Sequence, residues 1–352
     1  MNRNFLPIIA ATSDDRRDLF LATANRLGTP LQNVEKDFWV CWVLDLLFNG
    51  HAFNEPRLLF KGGTSLSKAY GLISRFSEDI DITVFREDLG LNIEVADLET
   101  LSGKQQRIRL NTIKTTCQAY IQGPLKERLN QQIKEALQEA QVPWSQDAVT
   151  SDPDDPDQQT LLISYPSVAN EANDYLRPTI KIEAGAKSAL DPHHHARIEP
   201  YVAHEMVNTD LSIDNVVTID AERTFWDKVV ILHGLRRWYD HRGQLRQQGH
   251  RISRHYYDIY QLLQSEAGQR ALNDPGLAVD CVRHAQTFFN SADLDLGSAR
   301  PGSFSIFPIS EMQAVLKRDY QAMANMIFGE VPDFATVMSK VVELERRINQ
   351  VM

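Results

Sequence analysis

The sequence predicts an α/β protein with a small mixed sheet flanked by helices, followed by a mainly helical C-terminal lobe. Short apolar or alternating segments, typical of strands, are separated by segments with helical spacing. The strand-like segments are residues 58–60, 79–84, 160–165 and 177–183. From residue 221 onward the patterns are almost entirely helical. We therefore expect one lobe over residues 1–215 and a second over residues 216–352.

Composition sets the broad class of the protein. The 352 residues are 43% hydrophobic and 24% charged, as in an ordinary globular chain. A formal net charge of -10 excludes a generally basic nucleic-acid-binding protein, so any RNA contact must be local. Cys41, Cys117 and Cys281 are far apart, which favours reduced thiols in the cytoplasm and no zinc site. No secretory signal is recognised, and the apolar run 38–48 is too short to span a membrane.

An apolar helix is predicted after Asn33, whose side chain is suited to cap it. Apolar residues almost encircle the segment VEKDFWVCWVLDLLF, which is typical of a core helix. Its first turn carries Glu35, Lys36 and Asp37. We interpret these three charged residues as a solvated first turn.

A candidate phosphate cradle follows the first strand. The apolar residues 58–60 precede the pair Gly62-Gly63, and Thr64 is placed to cap the next helix. Lys61 and Lys68 flank the turn. A strand, a glycine turn and a helix N-terminus present unpaired N–H groups to an anion, and phosphate is the expected guest.

Two acids follow on the next strand. Alternation places Asp79 and Asp81 on one face, where a cation would relieve their repulsion. Oxygen ligands of this kind favour Mg²⁺ or Mn²⁺. Arg75 is expected to hold a phosphate or to fix the geometry of the acids. A lone D-x-D is common at sheet edges, but its combination with the glycine turn favours a nucleotidyltransferase site.

A lysine and an acid alternate on the strand-like segment 177–183. Lys181 and Glu183 share one face. They fit a surface pair on an edge strand. If the segment lies beside the strand of Asp79 and Asp81, Glu183 instead completes a three-carboxylate metal cluster and Lys181 faces a triphosphate.

Three other polar segments favour structural interpretations. The basic residues of helices 104–121 and 124–140 fit solvated faces better than a nucleic-acid surface. The acidic, proline-broken segment 151–157 fits a hairpin connector better than a cation site. The run His193-His194-His195 is expected in a loop and not at a metal.

The C-terminal lobe begins with a short strand over residues 216–219, which introduces an amphipathic helix over residues 221–235. Asp227 and Lys228 on it support either the nucleotide and metal or an internal ion pair. Residues 236–255 are rich in arginine, histidine and aromatics, which suits RNA phosphates and bases; the alternative is a flexible solvated loop. The candidate RNA-binding residues are Arg236, Arg237 and Arg254.

Several of these segments resemble one family. KGGTSLSK and RFSEDID are similar to the first two motifs of the AbiEii/AbiGii-type toxins, a branch of the DNA polymerase beta-like nucleotidyltransferase superfamily. RPTIKIEAGAKS resembles the third motif, and RTFWDK the fourth, which usually has Glu where this chain has Asp227. SRHYYDIYQLL resembles a segment in which Arg254 and Asp258 are expected to pair. VEKDFWVCWVL resembles the N-terminal segment, which adds the alternative that its charged residues shape the pocket.

The resemblance implies an NTP-using enzyme with its site in a cleft between the lobes. It would transfer NMP to an acceptor, in some relatives the 3′ end of tRNA, as the toxin of a toxin–antitoxin or phage-defence pair with a cognate antitoxin. The expected catalytic residues are Asp79, Asp81, Lys181, Glu183 and Asp227. Asp79, Asp81 and Glu183 would hold the metal ions. The expected nucleotide-binding residues are Lys61, Gly62, Gly63, Thr64, Lys68, Arg75 and Lys228. The alternatives are an inactive interaction protein of the same fold and a metal-dependent phosphodiesterase.

Overall fold

The computed structural model describes residues 1–51, 54–144, 147–169, 178–246 and 251–350. The predicted strand residue Arg177 and His250 of the basic stretch lie outside them. The chain forms two compact units. The first consists of Met1–Ala69, Phe76–Ile93 and Gly103–Ile219. The second consists of Tyr70–Arg75, Glu94–Ser102 and Asp220–Met352.

Helices and strands are interspersed as far as Ile219, and the elements that follow it are helical. In the described residues the helices are α1 Leu6–Ala10, α2 Ser13–Leu27, α3 Leu31–Asn49, α4 Gly62–Lys68, α5 Val95–Glu99, α6 Gly103–Tyr120, α7 Lys126–Glu139, α8 Ala221–Arg242, α9 Ser253–Leu263, α10 Glu266–Leu272, α11 Pro275–Phe288, α12 Ser310–Met323 and α13 Phe334–Gln350. The strands are β1 Leu58–Lys61, β2 Asp79–Val84, β3 Val149–Ser151, β4 Thr160–Ser164, β5 Thr179–Gly185, β6 His193–Ile198 and β7 Ile213–Ile219. None of the helices in the described ranges is long and apolar enough to cross a membrane.

The first unit is built on a seven-stranded sheet in the order β3-β4-β5-β2-β1-β7-β6. The pairs β2/β5 and β1/β7 are parallel and the others antiparallel, so the predicted mixed sheet is confirmed. Strands β3 and β4 form a hairpin whose connector is the predicted acidic segment. The fold class is therefore as the sequence predicted.

The three adjacent histidines are in strand β6 and not in a loop, so that prediction was wrong. His193, His194 and His195 pair with residues 217–219 of β7. Strand β6 is at the edge of the sheet, with His194 and His195 exposed. An edge strand has a neighbouring strand on one side only, so its polar side chains can remain exposed to water.

Helix α3 is buried on all sides, as predicted, but its first turn is not solvated. The helix begins at Leu31, before the expected cap residue Asn33. Glu35, Lys36 and Asp37 are only 1%, 6% and 3% exposed. Buried charges persist in a core only when they are paired or hydrogen-bonded, and each of these three has a partner within the first unit.

The second unit is helical. Helix α8 continues to Arg242, beyond the predicted end at residue 235, so the first part of the basic stretch is helical and not a loop. Helix α8 packs against α9, α10 and α11, and α9 packs against α12 and α13. The three cysteines of the chain, all in described residues, are free, buried thiols.

A buried ion cluster in the second unit fastens the segment Tyr70–Arg75 to α8 and α9. Arg75 donates Nε and Nη2 to Asp258 over 2.7 and 2.8 Å, and Lys228 Nζ lies 2.8 Å from the same carboxylate. Burial raises the pKa of Asp258, but the two cations lower it well below its usual range. Asp258 was expected to pair with Arg254, whereas its partners here are Arg75 and Lys228.

We expect Asp258→Asn to lower the free energy of unfolding by about 3–5 kcal/mol, because it leaves two buried cations without their anion. Denaturant unfolding measures the change. The control is Asp293→Asn, which removes a solvent-accessible pair with Arg242 and should leave the unfolding midpoint close to that of wild type. Equal effects of the two substitutions would contradict this assignment of the cluster.

Candidate active site

The register of β2 against β5 brings four charged side chains to one face of the sheet. Asp79 is paired with Lys181, and Asp81 with Glu183. Side chains of paired residues on neighbouring strands project to the same face. The structure therefore places the D-x-D and K-x-E patterns side by side, although about a hundred residues separate them in the sequence.

The glycine turn packs directly against one of the acids. Gly62 has a φ of +82°, a conformation that side chains other than glycine rarely adopt. A Cβ atom at this position would lie 2.1 Å from Oδ2 of Asp81. Lys61 is the register partner of Asp81 across β1 and β2. Both the backbone conformation and the approach of the carboxylate therefore require glycine at residue 62.

Thr64 joins the turn to the acidic strand. It was predicted to cap α4, but α4 begins at Gly62 and Thr64 is its third residue, so that prediction was wrong. The Thr64 hydroxyl donates to the backbone oxygen of Asp79 and lies 2.8 Å from Oγ of Ser77. The hydroxyl thus holds α4 to the start of β2.

Lys181 forms an ion pair inside the site. Its Nζ lies 2.9 Å from Oε1 of Glu183 and 3.6 Å from Oδ2 of Asp152. Burial lowers the pKa of Lys181, but the bond to Glu183 and the charges of Asp79 and Asp152 outweigh it, and the pKa is raised. The side chain is therefore a protonated cation at neutral pH, and it remains 37% exposed.

Asp152 is a neighbour of Lys181 that the sequence analysis missed. It follows β3 and lies on the connector to β4, which pairs with β5. The sequence offers one signal, an acid at the end of a predicted hairpin. Only the pairing of β4 with β5 brings that acid to Lys181.

The donor set fits a hard divalent cation that is bound together with substrate. In the described ranges, no group of three His, Cys, Asp or Glu side chains is close enough to hold a metal by itself. Asp79 and Asp81 supply two neighbouring carboxylates, and Glu183 is bound to Lys181. Mg²⁺ commonly takes one or two carboxylates and completes its shell with substrate phosphates and water. The assignment of Glu183 as a third ligand stays a prediction.

Lys68 is buried below the turn. Its Nζ lies 2.7 Å from Asp37 Oδ1 and 3.8 Å from the centre of the Tyr201 ring. Burial lowers the pKa of Lys68, but the charge of Asp37 more than compensates, and the pKa is raised. Lys68 therefore already has an anionic partner inside the first unit, and the nucleotide contact predicted for it stays a prediction.

The remaining predicted site residues belong to the second unit, where most carry local partners. Arg75 and Lys228 are in the ion cluster described above. Asp227 is half-exposed, with its carboxylate 3.5 Å from Arg223 Nε. Asp240 pairs with both Arg236 and Arg237, and Asp295 lies 3.1 Å from Arg237. Arg254 is half-buried on α9.

Similarity to known proteins identifies the family of this chain. No curated protein matches it. Among solved structures, MenT4, a nucleotidyltransferase toxin of Mycobacterium tuberculosis H37Rv, aligns with a TM-score of 0.49 and 13% identity, covering 96% of this chain and 90% of that one. The family model described as "Nucleotidyl transferase AbiEii toxin, Type IV TA system" matches residues 45–340. Since this match spans most of the chain, the protein belongs to the AbiEii family, the nucleotidyltransferase toxins of type IV toxin–antitoxin systems.

Proposed function

We propose that this nucleotidyltransferase transfers NMP from an NTP to an RNA, with the 3′ end of tRNA as the first acceptor to test, in a reaction that depends on Mg²⁺ or Mn²⁺. The observation that carries the proposal is the register that sets Asp79 and Asp81 beside Lys181 and Glu183. In a cell the activity would act against phage through abortive infection, under control of an antitoxin. The three reduced cysteines support a cytoplasmic location.

The reaction joins the oxygen of the acceptor hydroxyl to the α-phosphorus and breaks the bond between that phosphorus and the oxygen that bridges it to the β-phosphorus. Pyrophosphate leaves, and the hydroxyl proton is released to water. Asp79 and Asp81 would hold the cation from one face of β2. When bound, a divalent cation neutralises phosphate charge and stabilises the attacking and leaving oxygens. The protein then contributes mainly position and charge.

The glycine turn would approach the triphosphate with its backbone. Gly62 and Gly63 have no side chains to keep phosphate oxygens away, and Lys61 ends the strand beside them. Lys181 would exchange its contact with Glu183 for a phosphate oxygen when NTP arrives. The carboxylate of Glu183, released by that exchange, is on the same face as Asp81 and would join the cation.

Three predicted nucleotide ligands are given a different role. Lys68, Arg75 and Lys228 are buried in ion pairs. Moving Lys68 to a phosphate would leave Asp37 without its cation, and moving Arg75 or Lys228 would leave Asp258 with one of its two cations. We assign them to holding the fold. Contacts of RNA with Arg236, Arg237 and Arg254 stay predictions. The acids beside Arg236 and Arg237 reduce the positive charge that these two side chains offer to a phosphate.

The test is nucleotide transfer by wild type and by Asp81→Asn. Each α-labelled NTP is incubated with Mg²⁺ and total RNA, and label on RNA and released pyrophosphate are measured. We expect label from at least one NTP with equal pyrophosphate, loss with EDTA, and a rate about a hundredfold lower for the variant. Equal labelling by both proteins, or none, would overturn the proposal. Labelled NMP released free in solution, with pyrophosphate but with no label on RNA, would indicate hydrolysis by a phosphodiesterase.

Gly62→Ala should lower kcat by about a hundredfold, because the new methyl group displaces the carboxylate of Asp81. Steady-state transfer kinetics measure this. Gly90→Ala is the matched control: Gly90 also has a positive φ, +73°, but nothing lies within 4 Å of an added Cβ. It should share the backbone strain and keep kcat within about threefold. Similar losses in both variants would refute the steric explanation.

Lys181→Met should raise the KM for NTP by about tenfold or more, since it removes a cation that we assign to the triphosphate. Lys181→Arg should recover part of the loss, because it keeps the charge but alters its shape. Steady-state kinetics with the NTP used by wild type provide the measurement. An unchanged KM and kcat in Lys181→Met would exclude Lys181 from the nucleotide site.

A further inference from the structure

Three consecutive charged residues at the start of α3 are buried and point in different directions. Glu35, Lys36 and Asp37, here called the α3 charge triad, follow one another on a helix, where successive side chains are about 100° apart. They cannot share one partner on one face. Each instead bonds to a different element of the first unit.

Asp37 fixes the end of α4. Its Oδ1 accepts from Lys68 Nζ over 2.7 Å, and its Oδ2 accepts from the backbone N–H of Tyr201 over 2.7 Å. Lys68 is the last residue of α4, and Gly62 of the glycine turn is the first. Asp37 therefore anchors the short helix that carries the turn.

Lys36 fixes the chain just before the acidic strand. Its Nζ lies 2.5 Å from Oε2 of Glu78, and both side chains are 7% exposed. Glu78 directly precedes Asp79. Asp79 is the first residue of β2, so holding Glu78 restrains the chain immediately before that acid.

Glu35 fixes the segment that follows β4. Its carboxylate accepts from the N–H of Val168 over 2.6 Å, from the hydroxyl of Ser167 over 2.7 Å and from the N–H of Ala169 over 3.4 Å. Strand β4 pairs with β5, which carries Lys181. The third member of the triad thus holds the segment that follows the strand next to β5.

The contacts of Lys36 and Asp37 close a ring. Asp37 holds α4, the hydroxyl of Thr64 on α4 donates to Asp79 at the start of β2, and Lys36 holds Glu78 from the other side. Each link is an ion pair or a hydrogen bond within the first unit. The ring joins the glycine turn and the first acid to one buried helix.

We propose that the α3 charge triad is a set of positioning residues for nucleotide transfer. Lys36 and Asp37 fix the turn at Gly62 relative to β2, which carries Asp79 and Asp81, and Glu35 holds the segment that follows β4. The proposal rests on the location of the active site given above. None of the three residues is assigned a contact with substrate. Their effect passes through Lys68, Glu78 and the segment 167–169, and it governs how well the two acids hold the cation.

A structural role alone predicts a different outcome from a positioning role. Removing one member of a buried ion pair strands the other charge, whereas replacing both with neutral residues often restores stability. The double variant Lys36→Met/Glu78→Gln is therefore expected to unfold at a denaturant concentration close to that of wild type. If the pair only stabilises the fold, the activity of this double variant should also be close to that of wild type.

The test compares that double variant, Asp37→Asn and Lys36→Arg/Glu78→Asp, which keeps an ion pair of similar length. For the first two, we expect kcat lower by about tenfold, the Mg²⁺ concentration for half-maximal rate higher by about fivefold, and faster hydrogen exchange of amides in residues 62–68 and 79–84. The charge-preserving double variant should return both kinetic values to within about threefold of wild type. Leu344→Ala, in the core of the second unit, is the control for general destabilisation.

The result that overturns the proposal is a neutral double variant with the kcat, Mg²⁺ dependence and exchange of wild type. An equal shift of Mg²⁺ dependence in Leu344→Ala would overturn it too. Failure of the proposed function is distinct, because wild type itself would then label no RNA. Hydrogen exchange would still decide, in that case, whether the triad selectively orders residues 62–68 and 79–84.

Discussion

The pairing of β2 with β5 in one specific register is the constraint on which the candidate site depends. Because side chains alternate along a strand, a slip of one residue would move Lys181 and Glu183 to the opposite face from Asp79 and Asp81. The apolar residues Ile80 and Ile182 are register partners in the same pairing and are fully buried. Burial of the apolar partners therefore enforces the register that assembles the charged face.

The local elements of the site could be predicted from the sequence, because their signals are local. Alternation showed that Asp79 and Asp81 share a face, and the paired glycines marked a turn. The distance between Gly62 and Asp81 could not be predicted, since it depends on how closely β1 and β2 pack beyond the turn. Glycine at residue 62 thus serves the packing of an acid as well as the backbone conformation.

The buried charges were the main features of the structure that could not be predicted from the sequence. Glu35, Lys36 and Asp37 have the composition of a solvated helical turn, and nothing within several residues reveals their partners. Glu78 is 42 residues from Lys36, and Val168 is 133 residues from Glu35. The type of a residue gives the charge of its side chain, whereas its burial depends on contacts with residues that are distant in the sequence. The same limit applies to the edge strand β6, which begins with the three adjacent histidines.

The cations of the candidate motifs differ in what each would leave behind if it moved toward a phosphate. Lys68 would leave Asp37 charged in the interior, and Lys228 would leave Asp258 without one of its two cations. Lys181 differs because its partner Glu183 is 45% exposed and lies on the face of the proposed cation site. After Lys181 moves, water or a cation can stabilise the carboxylate of Glu183. A carboxylate in the core that loses its cation stays out of contact with water and carries a large desolvation penalty. A lysine suited to substrate binding is therefore one that can exchange its carboxylate partner for a phosphate, whereas the lysines paired in the core hold the fold.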